Sequence, residues 1–398
     1  MSRRIALIAA VALTAAGLAV PAASASPHML VGFNDEANIL YGNPQWAFPL
    51  LKQLRTQVLR VNLYWGGTKW AVATKKPNDP TDPGDPAYNW DLYDRLVRYA
   101  AQYNVKIMFS ILFTPGWANG NKARTYPPTN YKWLRDFAYA AAERYSGFWK
   151  PPTAQQDPGN DSTDSILPKV SMWTAWNEPN NPIWLSPQYK KVKGKYVIES
   201  AREYVQICRA ISQGVHGVVI SPERGKIPGE KVACGVTGPR GNNSPRSFRP
   251  SVDPMAFMRA LKRDGLKAKD FDVYAHHPYY GNRTETPSTK PKSRTAIELG
   301  NINTLLAQIK TLWGPKHLWI TEYGYQTRPQ DRLLGVTYAQ QAAYLKQAFA
   351  IARKNPRIDL MLWFLLKDEP ASGNWQSGLM TYPGKKKPAF VAFQRLPH

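Results

Sequence analysis

Cysteine is almost absent: the 398 residues include two, Cys208 and Cys234. Two cysteines make no disulfide framework, and their spacing fits no zinc motif. One bridge in an oxidising compartment stays open. Histidine is also sparse, with six residues and no ligand motif. His276 and His277 are adjacent in an extended run, where successive side chains face opposite ways, so one ion cannot readily use both. No G-x-G-x-x-G follows an early strand-like run, which argues against an open doubly wound nucleotide fold. No metal and no cofactor are expected. Acidic residues are few as well, 28 against 52 Lys and Arg, for a net charge of +24. That excess attracts polyanions, and acidic cell-surface polymers are candidate partners. The densest groups, YKKVKGKY, STKPKSR and GKKKP, lie in regions rich in Gly, Pro or Ser and read as solvated basic surface. There is no RNA-binding signature, basic zipper or zinc-finger spacing, so no specific nucleic-acid recognition is expected.

Long apolar runs are missing except at the amino terminus. There Arg3 and Arg4 precede an apolar stretch from Ile5 to about Val20, followed by Ala23-Ser24-Ala25. This is the pattern of a signal peptide over residues 1–25, and the run is short for a membrane span. The expectation is a secreted chain, residues 26–398, acting away from the membrane as a monomer.

What the sequence does contain is alternation. Short apolar, β-branched runs occur at 28–34, 58–65, 105–113, 170–176, 231–237, 271–277, 317–323 and 358–366. Segments with apolar spacing of three and four lie between them, such as NWDLYDRLVRYAAQY and ESAREYVQICRAISQGV. Continuous apolar runs suit strands buried on both faces, and the intervening periodicity suits helices. Eight such alternations predict an α/β fold, a (β/α)8 TIM barrel in one domain. In that fold, active sites lie at the carboxyl ends of the strands.

Two of those ends carry glutamates. Strand four ends in Trp176-Asn177-Glu178-Pro179, and strand seven ends in Thr321-Glu322-Tyr323. The glutamates are 144 residues apart. That is three strand–helix units of about 48, close to the average unit of a chain this long. Matching heights are therefore expected on one barrel mouth. Pro179 disfavours helical geometry at the residue before it and is expected to hold Glu178 extended. Glycosidic bonds need such a pair: a proton for the leaving oxygen and a negative group facing the sugar carbon.

The combination WNEPN and WITEYGY resembles the clan A retaining glycoside hydrolases, such as families 5 and 39, over essentially the whole chain after Ala25. The resemblance implies Glu178 as acid/base and Glu322 as nucleophile. It implies Arg60 in LRVNLYW as a guanidinium near the nucleophile and Asn177 as a partner of the sugar 2-hydroxyl. His277 and Tyr279 in AHHPYY match the clan's His-x-Tyr, and Trp363 matches a strand-eight tryptophan beneath the sugar. A charge inside a strand as apolar as the second needs a partner, which favours the same reading of Arg60.

Fourteen tryptophans are available to stack on sugar rings. Trp65, Trp70, Trp117, Trp184 and Trp375 fall in or near strand-to-helix loops, and Trp117 and Trp184 are the preferred cleft candidates. Long loops at 66–88, 181–196, 240–252 and 367–384 are expected to shape the cleft, while 148–169 should lie on the opposite face. The expected activity is hydrolysis of a β-glycoside in an oligo- or polysaccharide. A transglycosidase with the same residues, or a basic polymer-binding barrel without catalysis, are the alternatives.

Overall fold

The computed structural model describes residues 26, 28–151, 166–221, 224–370 and 375–398. The expected signal peptide and most of the 148–169 loop lie outside them. Eight strands form a closed parallel barrel. They are β1 (Leu30–Asn34), β2 (Val58–Tyr64), β3 (Lys106–Leu112) and β4 (Met172–Ala175). The others are β5 (Lys231–Thr237), β6 (Val273–His276), β7 (Leu318–Tyr323) and β8 (Ile358–Phe364). Each pairs with the next, and β8 returns to β1 with Phe33 beside Trp363.

A helix follows every strand. These are α1 (Pro44–Gln53), α2 (Asp91–Gln102), α3 (Tyr131–Arg144) and α4 (Glu199–Val215). Then come α5 (Pro254–Arg263), α6 (Ile302–Trp313), α7 (Tyr338–Arg353) and α8 (Pro388–Gln394). Side chains satisfy the free amides at several helix starts: Asn43 accepts from Gln45, Asn130 from Lys132, Asp253 from Ala256 and Thr337 from Gln340. Among the described residues, no helix is long and apolar enough to cross a membrane.

The barrel interior changes character along its axis, and this places the site. Lower down, Val58, Met108, Met172, Ala233, Val273 and Leu360 fill it with apolar volume. Side chains on a strand return to the same face every second residue. Two positions beyond Val58, Met108 and Met172 stand Arg60, Ser110 and Thr174, all buried. Arg60 donates from Nε to Ser110 Oγ at 2.7 Å, and Thr174 donates to the same oxygen at 2.5 Å. A buried charge needs such partners.

A disulfide joins Cys208 on α4 to Cys234 on β5, settling a pairing that the sequence left open. The YKKVKGKY segment is more ordered than a loop. It forms an antiparallel hairpin, Tyr189–Val192 with Lys195–Ile198. Its turn residues Lys193 and Gly194 have φ of 47° and 82°, the left-handed pair that suits a two-residue hairpin turn.

Candidate active site

Five non-glycine residues at the strand ends carry positive φ: Phe113 (63°), Trp176 (68°), Glu178 (33°), Val236 (44°) and Leu365 (76°). Such backbone is costly for residues with a Cβ, and it concentrates where side chains must be aimed. The expectation that Pro179 holds Glu178 extended is therefore corrected. After β4 the chain turns sharply, because Trp176 N donates to Ile111 O and Glu178 N to Val236 O. These bonds across neighbouring strands override the local preference and aim the Glu178 side chain into the mouth.

Glu178 and Glu322 face each other there with His277 between them. One ligand atom from each of the three lies within 4.8 Å of the other two. His277 Nδ1 is 3.0 Å from Glu178 Oε1 and 3.6 Å from Glu322 Oε2, while its Nε2 is 2.9 Å from Thr321 Oγ1. The trio has the compactness of a metal cluster, but the Arg60 guanidinium already occupies Glu322 Oε1 at 2.5 Å. A second cation at that carboxylate would meet Coulomb repulsion. His276 turns the other way, to Thr237 Oγ1 at 2.8 Å and Ile297 O at 3.1 Å. Burial pushes its imidazole down to about 3, so it is neutral and anchors the loop after β6.

The two carboxylates have unlike surroundings. Burial works against ionisation of Glu322. The charges of His277 and Arg60, with hydrogen bonds from Arg60 and Tyr279, outweigh it and hold the group below the usual carboxylate value. Tyr279 donates to Glu322 Oε2 at 3.1 Å. Burial, followed by the negative charges of Glu322 and Glu178, keeps that phenol protonated far above its ordinary range. Glu178 instead touches His277 and accepts from Asn181 Nδ2 at 3.3 Å. Arg60 NH2 donates to Asn177 Oδ1 at 2.7 Å, which leaves the Asn177 amide nitrogen as a donor toward the cavity that it lines.

The cavity above these groups is about 670 Å³. Asn177, Glu178, Trp184, Tyr279 and Glu322 line it as the sequence suggested. Trp184 stacks on Phe113 with ring centroids 5.7 Å apart. Four expected residues do not line it, and two of these, Arg60 and His277, lie fully buried beneath it against the glutamates. Trp363 is fully buried on the outer face of β8, donating to Ser377 O at 2.8 Å and packed edge-on to Tyr323. The alternation that puts Leu360 and Leu362 inside the barrel puts Phe364 at the cavity and Trp363 among the helices. Trp117 is likewise packing: it meets Trp65 and Trp133 edge-on and donates to Ala73 O at 3.0 Å.

Other lining residues were not anticipated. Trp375, mentioned only as a loop tryptophan, packs 5.1 Å from Phe364 and 5.7 Å from Tyr279. Glu36, just beyond β1, lies within the cavity wall. Its Oε2 accepts from Tyr64 at 2.6 Å and from Tyr41 at 3.3 Å, and its Oε1 accepts from Asn62 N at 2.9 Å. Burial pushes its carboxyl above the usual carboxylate range despite those hydrogen bonds and the Arg60 charge. GFNDEAN at the end of the first strand was the available signal, since every strand end faces the mouth.

A family 39 glycoside hydrolase from Bacteroides cellulosilyticus WH2 superposes with a TM-score of 0.60 at 17% identity, over 93% of this chain and 64% of that one. A glucosidase from Croceicoccus marinus gives 0.60 at 15% identity, over 93% and 66%. Fungal β-1,4-galactanases give 0.56 at 13% identity, over 92% and 99%. The barrel is that of known glycoside hydrolases. The chain spans about two thirds of the first two of these proteins. The sequence matches no protein-family model, and comparison with curated proteins gave no match.

Proposed function

We propose that this protein is a secreted retaining glycosidase that cleaves β-glycosides of oligo- or polysaccharides. The observation that carries the reading is the pair of carboxylates, with oxygens within 4.8 Å, one of them held ionised by Arg60 and Tyr279. Retaining enzymes place their carboxyls about 5–5.5 Å apart, whereas inverting ones need about 6.5–9.5 Å to admit a water. In the first step Glu322 attacks the anomeric carbon. The bond to the leaving oxygen breaks, and protonated Glu178 gives that oxygen its proton. In the second step Glu178 takes a proton from water, the oxygen attacks the same carbon, and Glu322 departs as carboxylate. His277 keeps both carboxylates in register. Asn177, fixed by Arg60, offers its amide to the sugar 2-hydroxyl, a bond that can strengthen in the transition state.

A screen of aryl β-glycosides and polysaccharides, with Glu322→Ala as control, tests this. Turnover of at least one substrate is expected, reduced about a thousandfold or more in the variant. Turnover unaffected by Glu322→Ala would remove the reading, as would tight polymer binding without any turnover.

A further inference from the structure

A second cavity of about 670 Å³ adjoins the first and shares Asn181 and Arg240 with it. Asn181 is the residue that donates to Glu178. A leaving group sits beside the acid that protonates it, opposite the attacking nucleophile. If Glu178 is that acid, as proposed above, the second cavity holds the leaving part of the substrate.

Its chemistry differs from that of the first. The loops after β5 and β6 supply Arg240, Arg246, Arg249, Arg283, Lys290, Lys292 and Arg294, all exposed, against three acids, Asp253, Glu285 and Glu298. The acids are already engaged. Arg240 bonds Glu298 at 2.6 Å, Glu285 accepts from Gly281 N and Asn282 N, and Asp253 caps α5. Arg249 and Lys292 also line the cavity, and neither has an ion pair among the described residues. Phe248, beside Arg249, is completely exposed. The lysine-rich hairpin is tied to the same wall through Tyr189, which donates to Ser251 O at 3.3 Å. On the other side of the catalytic pair, the first cavity presents Glu36 and Glu369.

We infer that the substrate is an anionic glycan cut between a neutral sugar and a negatively charged leaving portion, with Arg249 and Lys292 receiving the charge. Glu369, beside the glycone, disfavours a uronate there, and the open basic cavity attracts one on the leaving side. Exposed Phe248 gives a sugar ring a face to pack on, and the seven cations of the two loops extend the attraction along a polymer. The inference rests on the glycosidase reading and names the substrate of that same site.

The test uses the full exported chain. An aryl β-glycoside panel first fixes the glycone. Oligosaccharides carrying that glycone on a uronic acid are then compared with their carboxyl-reduced counterparts, with parallel arms bearing sulfate or phosphate esters. At low salt the charged leaving portion should raise kcat/KM on the order of tenfold, and the gain should shrink as salt screens it. Arg249→Glu with Lys292→Glu should abolish the gain and leave aryl glycoside turnover unchanged. Arg249→Gln with Lys292→Gln, and salt titration of the unaltered protein, serve if the reversal variant fails to fold. A gain in the carboxylate arm identifies a uronate polymer, and a gain confined to the ester arms identifies a sulfated or phosphorylated one. Equal rates in every arm, or a gain that survives both variants, would overturn the inference while leaving the glycosidase reading intact. No turnover of any glycoside would overturn both.

Discussion

The two sides of the barrel mouth are built from opposite materials. The side formed by the ends of β1, β2 and β8 is acidic and aromatic. Glu36 is held by Tyr41, Tyr64 and the Asn62 amide, and Phe364 and Trp375 close the wall. The side formed by the loops after β4, β5 and β6 is basic and open, with Arg249 and Lys292 in exposed loops. Directional bonds among buried groups select one shape, whereas exposed charge attracts a class of ligand with little geometric demand. Under the proposed function, the contrast gives fine sugar recognition to the first side and polymer capture to the second, with Glu178 and Glu322 between them.

The largest expected perturbation strikes the divide itself. Glu178→Ala should lower turnover of unactivated glycosides by about a hundred- to ten-thousandfold, the usual worth of general acid catalysis. Substrates with good leaving groups need no proton in the first step and should lose much less there. Steady-state rates across a series of leaving groups would show this, and an equal loss for all of them would place the proton elsewhere. A smaller effect belongs to the acidic side alone. Glu36→Gln keeps the shape but disturbs the acceptor of two phenols and a backbone amide, and a buried donor left unpaired costs about 1–3 kcal/mol. It should cost on the order of ten- to a hundredfold in kcat/KM and leave the preference for a charged leaving portion untouched. A loss of that preference would blur the division of labour.

The smallest effect is a displacement of the pH profile. Glu322 is held below its ordinary value, so the acid limb of kcat/KM should lie below the usual carboxylate range. Its ionised form also adds stability above its unfolded value, and this is lost as pH falls through the lower folded value. Arg60→Gln removes one of the two stabilising charges and leaves the burial, so the limb should move upward by about one unit or more. Rates between pH 3 and 7 on protein shown to be folded by circular dichroism would check it, and an unmoved limb would detach Arg60 from Glu322.

Much of this architecture was legible in the chain, for identifiable reasons. Strands buried on both faces leave continuous apolar runs, so all eight were visible, and ESAREYVQICRAISQGV coincides with α4 from Glu199 to Val215. The paired glutamates were visible because the barrel repeats at a nearly constant spacing. Facing was harder to read. Trp363 and Phe364 are neighbours of similar character, and only the alternation fixed by Leu360 and Leu362 tells which reaches the cavity. Glu36 was passed over because its partners Tyr41 and Tyr64 come from separate segments of the chain. The turn at Glu178 was misread because bonds to neighbouring strands, invisible in local sequence, outweigh the preference that Pro179 imposes. The basic groups read as solvated surface, since nothing linear shows that two of the loops converge on a cavity beside Glu178.

The central claim is that Glu178 and Glu322 act through a covalent sugar intermediate. Proton NMR of the first product released from a β-glycoside, recorded before the anomers equilibrate, tests it most directly. The account predicts the β anomer first, and initial release of the α anomer would contradict it.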